Sequence, residues 1–289
     1  MAYEIELANS VHPTDAVASF MGPAFVQADM TLPLIRTENF PDNTGTVLFP
    51  ISGKVEAQIV SESGNYSYDA DSEITDTSVS VTFQKSVQAQ KITVEALRFS
   101  GGAISLQRAS EEAAKAHARR QAADLKALFS GISGSVTAAS TLIKDNLLDA
   151  RYTVVSGVKD AISPKLAGWF SYKQLNDLAK ELTDTTATAF TAQVNLGVIG
   201  ISQGRQPKGE LFDILLWETD GLPTSGGDTV GCVWDPAHAF CGGVDGNTGF
   251  DSNLRFIGSQ GVAWELVTWM FYKFAEYRDA AASRVLSDS

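Results

Sequence analysis

Lys54-Val55-Glu56-Ala57-Gln58-Ile59-Val60, then Ser78-Val79-Ser80-Val81-Thr82-Phe83, then Ile92-Thr93-Val94-Glu95-Ala96 all lie in one stretch, Val47 to Gly131, around which the chain is organised. Each run alternates apolar and polar residues, the period of a half-buried strand. Between the first two, Ser61 to Ser72 is polar and turns through Gly64-Asn65. No Lys or Arg occurs from Val55 to Gln84, whereas Glu56, Glu62, Asp69, Asp71, Glu73 and Asp76 all fall there. The pattern predicts two strands flanking an acidic hairpin with Tyr66 and Tyr68 near its tip. A protruding hairpin cannot bury both faces against its own domain and is marginal alone, so a second surface would stabilise it.

A helix is predicted next, from about Ser110 to Phe129 and roughly 30 Å long at 1.5 Å per residue. Glu111 and Glu112 would occupy its first turn and Lys115, Arg119, Arg120 and Lys126 its later turns, an order that suits the macrodipole. Gly131 is the expected stop. Ala109, Ala113, Ala116, Ala123 and Ala127, with Leu125 and Leu128, form the expected packing seam. His117 is placed on the polar, solvated side.

The totals narrow the classes. At 289 residues the chain fits one large domain or two small ones. With 44% hydrophobic and 19% charged residues it belongs with soluble globular chains. A net charge of −12, from 22 basic and 34 acidic residues, argues against a broad basic grip on nucleic acid. Two cysteines make no disulfide framework, which is compatible with cytoplasm. MAYEIELANS lacks signal-peptide features, and Val262 to Tyr277 carries Glu265, Lys273 and Glu276, unlike a membrane span.

The rest of the chain reads in order. Residues 1 to about 30 hold a short helix near Ala16 to Phe20 and little core of their own, so they fray or lie on another surface such as a neighbouring subunit. Leu142 to Ile162 is helical, Lys165 to Ser171 a short buried strand, and Tyr172 to Leu182 a helix with Leu175, Leu178, Ala179 and Leu182 on one face. A Thr-rich link leads to strands at Leu196 to Ile201 and Leu211 to Trp217. Gly221 to Ser252 is glycine-rich with one strand, Val230 to Trp234. Arg255 to Ile257, Val262 to Tyr277 and Ala280 to Leu286 follow. Val262 to Tyr277 reads as a long strand buried on both sides, with helix as the alternative.

Chemical motifs are sparse. Cys232, Asp235, His238 and Cys241 are the one cluster resembling metal ligands, with looser spacing than zinc sites favour. Packing or solvated loop residues outweigh metal there. Gly131-Ile132-Ser133-Gly134 lacks nucleophile-elbow spacing. No Walker sequence or dinucleotide fingerprint is present. Asp69 to Glu73 lacks the glycine and closing glutamate of a calcium loop. No cofactor is implied.

The ordered set resembles the major capsid proteins of tailed bacteriophages: Gly45 to Pro50, Gly53 to Val60, acidic Asp69 to Thr75, Val79 to Phe83, Ile92 to Leu97, the long helix, Gly221-Leu222-Pro223, and Ala275-Glu276-Tyr277-Arg278-Asp279. The resemblance implies an α+β, Hong Kong 97-like capsid fold. It divides the chain into an N-terminal arm (1–44), an extended loop (45–78), a peripheral domain with a spine helix (79–134), an axial domain (135–250) and a C-terminal return to the peripheral domain (251–289). It implies a virion shell protein without catalysis, assembled in the host cytoplasm into pentamers and hexamers. Separate scaffold, portal and decoration proteins would be partners, with packaged double-stranded DNA touched non-specifically and no membrane. Some members cross-link through a Lys on the returning limb of the loop; Tyr66 to Glu73 has none, and Lys54 lies on the outgoing limb, so no cross-link is expected. The chain starts at Met1 without the proteolysed scaffolding region of some members, which implies a separate scaffold or none. Expected inter-subunit contacts are Lys54, Tyr66, Tyr68, Asp69, Asp71, Glu73, Arg119, Arg120 and Lys126, with the acidic hairpin residues meeting Arg119, Arg120 or Lys126 of a neighbour. The rivals are an encapsulin-like compartment for protein cargo, a metal-dependent enzyme using Cys232, His238 and Cys241, and a monomeric binding module.

Overall fold

The computed structural model describes residues 13–40, 45–52, 76–93, 102–138, 140–158, 162–183, 207–245, 251–257 and 263–288. The predicted strands at Lys54 to Val60 and Leu196 to Ile201 lie outside them.

Two sheets and a separate hairpin carry the architecture. The first sheet runs β1 (Arg36–Asn39), β11 (Phe240–Val244), β13 (Ala263–Glu276) and β12 (Asp251–Ile257), with β4 (Gln84–Thr93) on the other side of β13. The second runs β5 (Ser135–Thr137), β14 (Ala282–Asp288), β10 (Asp228–Trp234), β6 (Leu166–Phe170), β8 (Ile214–Glu218) and β7 (Gly209–Leu211), with the two-residue β9 (Thr224–Ser225) on β10. Among the described residues the hairpin strands β2 (Thr46–Ser52) and β3 (Asp76–Thr82) pair only with each other.

Among the described residues four α-helices pack on these sheets: α1 (Pro13–Ala28), α2 (Gly102–Leu128), α3 (Lys144–Val158) and α4 (Tyr172–Thr183). At 27 residues α2 is about 40 Å long. It lies on β4 and β13, and α1 packs along it and reaches β12. Val17 and Met21 of α1 are fully buried, so this segment contributes to the chain's own core, contrary to the expectation that it has little.

Strand β13 settles the ambiguity left by its sequence. It is one strand of 14 residues, with Leu266, Thr268, Met270, Tyr272 and Phe274 buried in alternation. The other face is half-buried, so the expectation of burial on both sides holds for one side only. A helix covers one face of the sheet, and among the described residues no helix covers the other.

Several expectations are corrected. Helix α2 starts at Gly102, so Glu111 and Glu112 lie in its interior and its first turn has no acidic residue. Ala123 and Ala127 are exposed; the inward face is Ser110, Ala113, Ala114, His117, Ala118, Gln121 and Leu125. Leu211 to Trp217 is two strands, because Phe212 and Asp213 have φ of 54° and 60° and form a tight hairpin turn between β7 and β8. Strand β11 sits in the glycine-rich segment where only one strand was expected. Strand pairing runs across residue 250: β11 joins β13 in the first sheet, and β14 joins β10 and β5 in the second.

One core links the two sheets. Phe129, at the end of α2, lies 6.0 Å from Trp169, 5.5 Å from Trp234 and 5.9 Å from Phe240, ring centre to ring centre. These rings come from β6, β10 and β11, and all are fully buried. Trp234 donates its indole hydrogen to the Leu34 carbonyl at 2.9 Å, tying the segment before β1 to the same core. Large aromatic surfaces in tilted contact supply much of the burial energy here.

Candidate assembly surface

The hairpin is anchored at its root. Val47, Phe49 and Val81 are buried with Cys241 and Tyr277 in a cluster separate from the main core. The Tyr277 hydroxyl donates to the Pro50 carbonyl at 2.6 Å. The Arg36 guanidinium lies over the rings of Phe49 and Tyr277, at 5.7 and 5.5 Å, and pairs with Glu38 at 2.9 Å. Where β3 turns into β4, Phe83 packs edge-on against Phe40 and Phe271, at 5.9 and 5.2 Å. Phe83 also donates its backbone hydrogen to Gly45 O, and Gly45 has φ 59°. A Cβ on Gly45 would stand 2.0 Å from the Phe83 ring, so glycine is required there on both counts.

From this root β2 and β3 stay paired to Ser52 and Asp76, where the described residues end. The predicted contact residues Lys54, Tyr66, Tyr68, Asp69, Asp71 and Glu73 lie outside them.

The basic half of α2 is partly engaged within the chain. Arg120 pairs with Asp124 at 3.1 Å, and Asp124 also accepts from Tyr272 and Gln84 at 2.7 and 3.1 Å. Lys126 donates to the Asp220 carbonyl, and its burial lowers its pKa. Arg119 is exposed.

A second surface was not legible in the sequence. The face of the first sheet turned away from α2 carries half-buried Val267, Trp269 and Phe271 on β13 and Val87, 55% exposed, on β4. Phe83, 44% exposed, extends it toward the hairpin. Lys85, Lys91 and Lys273 stand exposed around this apolar strip, with the Lys85 ammonium 4.7 Å over Trp269. Positive charge around aromatic surface is unusual on so acidic a chain. The signal lay in the unassigned run Gln84 to Lys91, whose lysines fall on alternate residues with Val87.

The metal-ligand cluster is not assembled. Cys232 is buried in the main core and Cys241 in the hairpin-root cluster. Burial pushes the Cys232 thiol well up and the Cys241 thiol up to about 12, so both stay protonated and poor ligands. His238 instead pairs through Nδ1 with Asp235 at 2.9 Å. Among the described residues no three His, Cys, Asp or Glu side chains gather as a ligand set. Asp235 also accepts from Ser163 and from the Ala237 backbone at 3.0 Å. Burial pushes its pKa up, but the hydrogen bonds from Ser163, His238 and Ala237 outweigh this and hold it below the usual value. These residues clasp the turn between β10 and β11. A cleft of about 740 Å³ beside the clasp is lined by Arg36, Pro50, Ser163, His238, Tyr277 and Arg278.

His117 is the other correction. It is 1% exposed rather than solvated, and its ring bridges Ser86 on β4 and Thr268 on β13 at 3.0 and 3.1 Å. Among the described residues no helix is long and apolar enough to cross a membrane.

No protein-family model and no curated protein matches the sequence. Solved structures do match the fold over nearly the whole chain. The capsid of Ralstonia phage GP4 aligns with a TM-score of 0.66 at 9% identity, covering 92% of this chain and 90% of that one. The capsid of cyanophage P-SCSP1u aligns with a TM-score of 0.59 at 12% identity, covering 89% and 87%. The SrpI encapsulin of Synechococcus elongatus aligns with a TM-score of 0.62 at 12% identity, covering 93% and 89%. The chain therefore has the Hong Kong 97-type fold found in tailed-phage capsids and in encapsulins.

Proposed function

We propose that this chain is a major capsid protein: a structural subunit without catalysis that self-assembles through pentamers and hexamers into an icosahedral shell around phage DNA. The observation that carries this is the extent of the fold match, 92% of this chain against 90% of a phage capsid subunit. The match is to a shell subunit as a whole and not to one module of a larger enzyme. On this reading the protein resides in the virion after assembly in the host cytoplasm. Separate scaffold, portal and decoration proteins would be its partners, and DNA would touch it without specificity.

The hairpin is the reaching element. Its anchored root and the absence of basic residues from Val55 to Gln84 suit a tip that docks on a neighbour. Arg119, Arg120 and Lys126 of the neighbour's α2 are one acceptor. The lysine-rimmed apolar strip of the first sheet is the better one, because it offers Lys85, Lys91 and Lys273 beside aromatic surface for Tyr66 and Tyr68. Domain roles follow: an arm before β1, a peripheral layer of α2 on the first sheet, and an axial layer around the second sheet.

The encapsulin match favours a second reading, a shell holding protein cargo. Electron microscopy of the purified protein tests the shell itself, and its contents separate the two: nuclease-protected DNA for a virion, a co-purifying protein for a compartment.

A further inference from the structure

Helix α2 rests on two unlike strands. Toward β13 it meets mainly apolar side chains, Leu266 and Met270 among them. Toward β4 it meets Gln84, Ser86, Gln88 and Gln90, all half-buried on alternate positions. The helix presents His117, Gln121 and Asp124 to this polar seam. Asp124 is taken by Tyr272, Gln84 and Arg120. Gln88 Oε1 and Gln121 Oε1 are buried without a hydrogen-bond donor. Two carbonyl oxygens cut off from both water and protein are a standing cost of the closed seam.

His117 holds the seam shut. Its Nδ1 meets Ser86 Oγ at 3.0 Å and its Nε2 meets Thr268 Oγ1 at 3.1 Å, so one ring ties the helix to both strands. A neutral imidazole offers one donor and one acceptor, so one hydroxyl donates to the ring and the other accepts from it. Protonation makes both nitrogens donors. The hydroxyl that donated must reverse, and a full charge enters a site of hydroxyls and amides.

The groups around the ring do little to offset that charge. On α2 the charged neighbours are Arg120 and Asp124, bonded to each other. Strand β4 presents Gln84, Ser86 and Gln88, and β13 presents Thr268 and Tyr272. Helix α1, packed on the same helix, buries Val17, Met21 and Phe25. Lys85 and Glu265 stand on the far face of the sheet, and the Lys273 ammonium, from the same face, donates to Gln84 Oε1 at 3.1 Å at the end of the seam. Burial correspondingly holds the His117 pKa below the ordinary imidazole value.

We propose that His117 is a proton-operated latch between α2 and β4: neutral, it closes the seam, and once protonated it releases the helix from β4 and admits water to Gln88 and Gln121. This goes beyond the shell reading and does not depend on it, since the latch lies within one subunit. The sign follows from the lowered pKa. The latch is fully closed above the ordinary imidazole value and opens as pH falls from there through the folded-state value.

Hydrogen exchange of the full-length chain, corrected for intrinsic rates, tests this on unassembled and assembled protein alike. As pH falls from neutral through the midpoint of the His117 ring titration read by NMR, amides of 84–93 and 110–125 should lose roughly tenfold or more of their protection in step with it. His117→Gln, which bridges without titrating, should abolish the transition. Should that variant misfold, the coincidence of the two wild-type midpoints remains the test. Protection that persists after the ring protonates, or an unchanged acid transition in His117→Gln, overturns the proposal.

Discussion

The hydroxyl of Tyr277 donates to the carbonyl oxygen of Pro50 at 2.6 Å, joining the end of β13 to the outgoing strand of the hairpin 227 residues away in sequence. The Tyr277 ring also lies under the Arg36 guanidinium and edge-on to Phe49 at 6.4 Å. Tyr277 thus ties three segments together where the hairpin leaves the body.

Tyr277→Phe should therefore cost about 1–3 kcal/mol, because the hydroxyl makes two hydrogen bonds, donating to Pro50 O and accepting from Arg36 Nη1 at 3.4 Å, while the ring contacts survive. Tyr277→Ala removes a ring that is 6% exposed and should cost about 3–5 kcal/mol. Urea unfolding measures both. Limited proteolysis should show earlier cutting within 53–75 in the alanine variant, if the ring governs the hairpin root.

Asp235 supplies a second acid-sensitive element. Its pKa is held below the ordinary carboxylate value, so its contribution to stability is present above about pH 4 and is lost as pH falls through the folded-state value. Thermal midpoints taken from pH 6 to 2 should fall more steeply in wild type than in Asp235→Asn. Parallel curves would assign the acid loss to other groups.

The proposed docking of the hairpin on a neighbour predicts a charge-swap rescue. Reversing Asp69, Asp71 and Glu73 to Lys should lower assembly yield, as should Lys85→Glu with Lys273→Glu. Combining both sets in one chain should restore part of the yield, and the single-set defects should weaken in high salt. Assembly unchanged by the acidic reversal would remove the hairpin's charge from the account. A rescue obtained with Arg119→Glu and Arg120→Glu instead would place the contact on α2.

Legibility in the sequence followed how clearly each residue's environment is written in its neighbours. Strand β13 alternates because one face meets a helix and the other does not, and its period survives in the sequence. Strand β6 is short and apolar throughout because it is buried on both faces, and it too could be read. Strand β11, Phe240-Cys241-Gly242-Gly243-Val244, looked like a loop because two of its residues are glycine. In the fold, a Cβ at Gly242 would stand 2.6 Å from Phe274, and one at Gly243 2.2 Å from Phe40, so rings from elsewhere fill their places. The sequence reading places His117 in solvent because polar residues on a helix usually face water. Its burial, and that of Gln121, depends on β4 presenting Gln and Ser inward, a tertiary match that no local period contains. Cys232 and Cys241 flank Asp235 and His238 in a cluster that resembles metal ligands, but β10 and β11 belong to different sheets, so the turn between them carries the thiols into separate clusters.

The central claim is that this chain closes a shell with copies of itself, and electron microscopy of the purified full-length protein, with sedimentation velocity on the same sample, tests it most directly. Closed particles of uniform diameter built from rings of five and six subunits are the predicted result. A single slow species that stays monomeric across salt, pH and concentration would contradict it.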